Sequence, residues 1–194
     1  MPFSLFDLAL LVVMLRALFV GYQKGLIIEV MKLLSVILTM FFAMHYYVLL
    51  ADFLLKLPIM DKNYSKIFSF GVITGVGFLF FWLVRQGWLL ILKAKWRWEI
   101  DKTLATVVSF FRGFLLCELL FIGLLIWGQP GMLDQIHRSW SKGWLEKSSL
   151  SFYETGYKVL KIISPREDAN SQIFLIVRQA QEAEAKRILQ PKRK

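Results

Sequence analysis

Four long apolar runs, a charged fraction of only 20% and the lack of any strand-like alternation predict an all-α membrane protein. Its expected architecture is four transmembrane helices arranged as two hairpins, followed by a partly helical C-terminal tail. Apolar side chains make up 57% of the 194 residues before glycine is counted, and the mean hydropathy is +0.54. A soluble domain holds about 45–50% apolar residues with glycine included and about 25% charged ones. The apolar residues here are also gathered into uninterrupted blocks, so lipid is the solvent they match.

The blocks run from Leu5 to Tyr22, Ile27 to Leu50, Ile67 to Leu92 and Ala105 to Trp127. Each has roughly 18 to 26 residues, enough for about 30 Å of hydrocarbon at about 1.5 Å per residue. Backbone groups in lipid must be satisfied within the segment or in a closed barrel, and runs of this length without period two are helices. Asp7 and Arg16 interrupt the first block, and no small-x-small pattern follows it, so it is expected to be retained rather than cleaved as a signal. The composition divides the chain into a four-helix membrane part, residues 1–128, and a basic amphipathic tail, residues 129–194.

The connections after the first and third blocks are short. Helices one and two, and helices three and four, are therefore expected to pair as hairpins. Ala51 to Lys66 carries the breakers Pro58, Asp61 and Asn63, and Lys93 to Thr103 alternates basic residues with Trp96 and Trp98 as at a headgroup boundary. Loops one and three hold Lys24, Lys93, Lys95, Arg97 and Lys102, against Lys56, Lys62 and Lys66 in loop two. The positive-inside rule then puts loops one and three in the cytoplasm and both termini outside.

Net charge is +10, a sign that suits anionic lipid and membrane topology; no nucleic-acid-binding motif is present, and nucleic acid is not an expected partner. One cysteine, Cys117, excludes an intrachain disulfide and a cysteine metal cluster, and reads as a buried packing residue. No metalloprotease, nucleophile-elbow, P-loop or dinucleotide motif occurs, and the two histidines, His45 and His137, lack a partner motif. No catalytic residue, metal or cofactor is expected. His45 reads as part of an aromatic cluster with Tyr46 and Tyr47.

Ionisable residues at membrane depth are the features with most to explain, since each costs about 2.5–3.5 kcal/mol at a helix centre unless paired or hydrated. Glu118, in the middle of the fourth block, should face the bundle interior. Arg16, Arg85 and Arg112 lie nearer block ends, where a guanidinium can reach the interface along its aliphatic stem. Glu29 and Lys32 are one turn apart and placed to pair. Among small residues, Gly71 and Gly75 form G-x-x-x-G in the third block, and Ala105, Ser109 and Gly113 recur every four positions in the fourth. Such stripes let backbones approach closely, and the two are expected to face each other. In the tail, Met132, Ile136, Trp140 and Trp144 share one helical face, suited either to the membrane interface or to packing on the same protein, and Ser171 to Leu189 reads as a second amphipathic helix.

These positions also carry a resemblance. Lys24-Gly25 followed by Glu29, and Asp101-Lys102-x-x-Ala105-x-x-x-Ser109-x-x-Arg112-Gly113, resemble the two signature segments of the colicin V production protein (CvpA) family, with Asp7 early in the first helix. Lys102 stands where that pattern has arginine, and Ala105 and Ser109 where it has glycines. The resemblance covers residues 1–128. It implies a four-helix bacterial inner-membrane protein linked to colicin V production or export and to envelope homeostasis, acting through membrane or envelope protein partners or as a homo-oligomer, with no catalytic activity attached. Some relatives carry an outer-side protease domain after the four helices, which agrees with an external C-terminus. It further implies a polar and packing core of Asp7, Gly25, Glu29, Asp101, Lys102, Arg112 and Gly113, in which Asp101, Arg112 and Glu29 cluster near the cytoplasmic face. A different class, an oligomeric small-solute or ion transporter with Glu118 and Arg112 along a hydrated path, fits the same ionisable residues; a membrane-anchored enzyme has no candidate set of polar groups.

Overall fold

A single residue, Gly25, separates the first two helices, α1 (Leu5–Lys24) and α2 (Leu26–Leu55). Its φ of 80° and ψ of 161° reverse the chain in one step, a conformation that costs a side-chain-bearing residue stability. The computed structural model describes residues 4–56, 62–91, 98–165 and 168–178, apart from the side chains of 62–63, 89–91 and 98–101. Every regular element among them is helical: α3 (Lys62–Ile91), α4 (Trp98–Trp127), α5 (Pro130–Arg138), α6 (Lys142–Ile163) and a last helix, α7, over 171–178. α1 to α4 are long and apolar enough to cross a membrane. α4 begins at Trp98 rather than at Ala105, because nothing in Trp98 to Thr103 breaks a helix; α3 likewise starts before Ile67. A 30-residue helix such as α4 is about 45 Å long, more than the hydrocarbon thickness, so its ends project or it tilts.

The packing is not that of the two expected hairpins. α1 lies along α4, α4 along α2, and α2 along α3, whereas α1 and α2 touch little despite the one-residue link. The small residues explain the order. Lipid tails are as apolar as leucine, so helices in a bilayer associate through close fit rather than through hydrophobic transfer. Gly21 of α1 sits so close to α4 that a Cβ there would lie 1.8 Å from Ser109 Oγ. Gly113 is also close to α1, its Cβ position 2.9 Å from the Ala17 Cβ. The Ala105, Ser109, Gly113 stripe therefore faces α1. It does not face Gly71 and Gly75, which look into open space. α3 instead approaches α2 through Gly77, packed on Thr39.

The tail closes one end of the bundle. Ile136, Leu145, Tyr153, Ile173 and Val177 belong to the same buried cluster as Met40, Tyr47, Phe121 and Ile122. The expected stripe from Met132 to Trp144 is divided, because Ser139 and Ser141 turn the chain between α5 and α6: Ile136 is fully buried, while Trp140 and Trp144 are 84% and 74% exposed. Gly156 of α6 lies against the Phe41 ring. His45 joins the aromatic cluster, stacked on Phe41 at 5.6 Å, with its Nδ1 3.0 Å from the Tyr153 hydroxyl. Asn170 donates from its backbone N–H to Tyr153 and from its amide to the Met44 carbonyl at 2.8 Å, which fixes the start of α7 on α2. Burial among these rings raises the Tyr153 phenol above its ordinary value of 10.0. In α7, Ile173 and Val177 face the core as the amphipathic pattern requires, and the rest of that expected helix, 179–189, lies outside the described residues.

Candidate functional site

The polar centre of the bundle is Glu29, on the first turn of α2 and fully buried. Its carboxylate meets three groups from two helices. Lys32, one turn along α2, pairs with one oxygen. The other accepts from Ser109 Oγ at 2.8 Å and lies 3.2 Å from Arg112 Nε, both on α4. Arg112 also donates from a terminal nitrogen to the Ala17 carbonyl of α1 at 3.1 Å. One arginine thus ties α1, α2 and α4 together at the place where α4 separates the first two helices.

Two of the three residues expected to cluster, Glu29 and Arg112, are brought together. The Asp101 side chain lies outside the described residues. Arg112 does not extend to the interface; with its carboxylate beside it, 8% of its surface remains exposed. Ser109, which stands at a glycine position of the family pattern, was missed as a polar participant. Its signal was present in the spacing: three residues before Arg112, it lies on the same helical face. Lys102 places its ammonium over the Tyr22 ring, 5.1 Å from the centroid, which holds the start of α4 to the end of α1. Gly25 and Gly113 supply, respectively, the reversal and the close approach that let these groups meet.

Asp7 works at the opposite end. It completes a capping box with Ser4 at the start of α1. One oxygen accepts from both Ser139 and Ser141, the latter at 2.8 Å, so the turn between α5 and α6 is fastened to α1. Ser4 adds a bond to the Gln135 carbonyl at 2.8 Å. Beside this turn Lys142 is buried with Glu146 at 3.5 Å and His137 at 3.0 Å. Serines in a polar tail carry no marker of such a role.

Glu118 faces the interior, fully buried on α4 beside the buried Cys117. Neither of its oxygens has a hydrogen-bond partner of regular geometry among the described residues, and Ser148 of α6 is turned toward it. Arg16 lies on α1 at the edge of a cavity it shares with Arg112. Among the described residues no three His, Cys, Asp or Glu side chains are placed to hold a metal ion.

Four membrane-length helices, three of them joined by a buried ion-pair centre and all of them exposing large apolar side chains, define a multi-pass membrane protein. The family model for colicin V production protein matches residues 6–150, and the chain belongs to that family. The match continues past Gly128 through α5 and into α6, the segment fastened by Asp7. No curated protein and no solved structure matches the chain.

Proposed function

We propose that this protein is a non-enzymatic component of the bacterial inner membrane that supports toxin production or export, or envelope homeostasis, by engaging a protein partner within the bilayer. The observation that carries this reading is the outward face of α3. Gly71 and Gly75 have nothing within 4 Å of a built Cβ, and Phe68, Val72, Val76 and Leu79 beside them are exposed. A G-x-x-x-G strip that no helix among the described residues covers is suited to a second transmembrane helix, from another protein or another copy of this one. The alternative, transport by an oligomer, draws on the buried Glu118, whose oxygens have no hydrogen-bond partner of regular geometry among the described residues.

Complementation of a deletion strain separates the two. A Cβ on Gly75 has no neighbour within 4 Å among the described residues, so Gly75→Leu should leave protein level and melting temperature near wild type while abolishing complementation and the crosslink formed by a photoreactive residue at position 72. A crosslinked product of twice the monomer mass would identify the partner as a second copy. Glu118→Gln keeps shape and should complement. The reverse pair of results, with Glu118→Gln folded but inactive and Gly75→Leu active, selects transport.

In this reading both termini lie outside the cytoplasm, with the Gly25 turn and residues 92–97 inside. That is supported by the basic residues of these connections. An impermeant thiol reagent applied to intact cells should label Gln190→Cys and spare Lys95→Cys; the opposite pattern reverses the orientation.

A further inference from the structure

Because α4 separates α1 from α2 and α3 lies on the far side of α2, α1 and α3 stand apart. They form the walls of a cavity of about 440 Å³ floored by α2 and α4. Three of the four helices change character along it in the same direction, and α1 carries Arg16 and Lys24 with Ala17 and Val20 between them. Toward the middle of the bundle the lining is Val13, Val36, Phe78 and Leu116; toward the Gly25 end it is Arg16 and Lys24, Lys32, Arg85 and Arg112. The order of residues on each helix, taken with the alternating helix directions, puts every basic group nearer that one end.

The charges do not cancel. Glu29 is the carboxylate that meets them, and it is already engaged by Lys32 and Arg112. Arg16, Lys24 and Arg85 have no acidic partner among the described residues, and the buried Nε of Arg85 has no acceptor. Arg85 lines the same cavity as Arg112. Uncompensated cations beside hydrocarbon are costly, and arginine presents a planar fork of donors that matches phosphate oxygens.

We propose that this cavity binds the phosphate headgroup of an anionic phospholipid from the leaflet on the Gly25 side, with the start of an acyl chain lying along Val13, Phe78 and Leu116. The apolar half distinguishes a lipid from free phosphate, since an inorganic anion would use only the basic end. The volume suits a headgroup and the first part of a chain. Basic pockets between transmembrane helices hold anionic headgroups by the same attraction. Trp82, on the wall formed by α3 and 47% exposed, is of the type that sits at headgroup level.

The test uses the full chain in nanodiscs made with phosphatidylglycerol and phosphatidylcholine in equal amounts, followed by native mass spectrometry of the lipid retained. Wild type should keep phosphatidylglycerol over phosphatidylcholine by about tenfold, and Arg16→Gln with Arg85→Gln should bring the two near parity. Millimolar inorganic phosphate should not displace the lipid. Equal retention of the two lipids by wild type, or an unchanged preference in the variant, overturns the proposal. Displacement by inorganic phosphate would overturn it in favour of a free-anion site. If the double variant does not fold, Arg16→Gln with Lys24→Gln carries the same comparison, because both side chains are exposed.

Discussion

Arg112→Ala is expected to destabilise the bundle by about 3 kcal/mol, at the low end of the range for breaking a buried ion pair. The variant removes a side chain that bonds α1, α2 and α4 together, and it leaves Glu29 buried with Lys32 and Ser109 as its remaining partners among the described residues. The Ala17 carbonyl loses its donor as well. Those remaining partners are why the effect should not reach the upper end of the range. Thermal unfolding in mild detergent and the amount of folded protein in membranes should both fall. Adding Glu29→Gln should recover part of the loss, since an amide is cheaper to bury than a carboxylate short of its arginine. An unchanged melting temperature in Arg112→Ala would mean that the pair does not hold the helices.

Gly21→Ala should cost about 1–3 kcal/mol, the usual penalty for overpacking a close-fitted site. The added methyl would lie 1.8 Å from Ser109 Oγ and 2.4 Å from Ser109 Cβ, and 3.2 Å from the Ala105 carbonyl, so rotating the serine does not make room. This makes a selective rescue possible. Ser109→Gly should relieve the clash, so that Gly21→Ala costs much less in its presence although the variant itself loses the bond to Glu29, whereas Ser109→Ala should leave that cost in place because its Cβ remains. A double-mutant cycle with coupling near zero for the glycine rescue would show that α1 and α4 do not meet here.

The number of helices and the presence of inward polar residues were legible because both are local: twenty apolar residues in a row have one solution in lipid, and an ionised group among them must turn inward. Glu29 and Arg112 were expected in one cluster through the resemblance to the family's two segments, whereas the residues alone paired Glu29 with Lys32 and sent Arg112 to the interface. Which helices pack together was not legible. Loop length favoured α1 with α2, yet Gly21, Ala17 and Gly113 make the closer fit between α1 and α4, and a sequence does not say which small-residue stripe meets which. The partners of Asp7 were hidden for a related reason, since Ser139 and Ser141 lie more than 130 positions away in a segment that reads as polar tail. Arg16 and Arg85, each explicable alone as a side chain reaching for the interface, acquire a common address only once α1 and α3 become opposite walls.

Glu29 and Arg112 are separated by 83 positions in the chain, and that interval has a meaning in time. At a synthesis rate of about 5–20 residues per second, Glu29 exists for about 4 to 17 s before Arg112 is made. During that delay the carboxylate has a counter-ion only if one is encoded next to it, and Lys32 is available from the moment the first turns of α2 form. The same delay leaves α1 and α2 joined at Gly25 without the helix that belongs between them. The nascent protein is therefore an open pair of helices carrying its own provisional ion pair. Its final arrangement waits for the last span to enter, so a chain that stalls before α4 cannot reach a folded intermediate resembling the finished bundle.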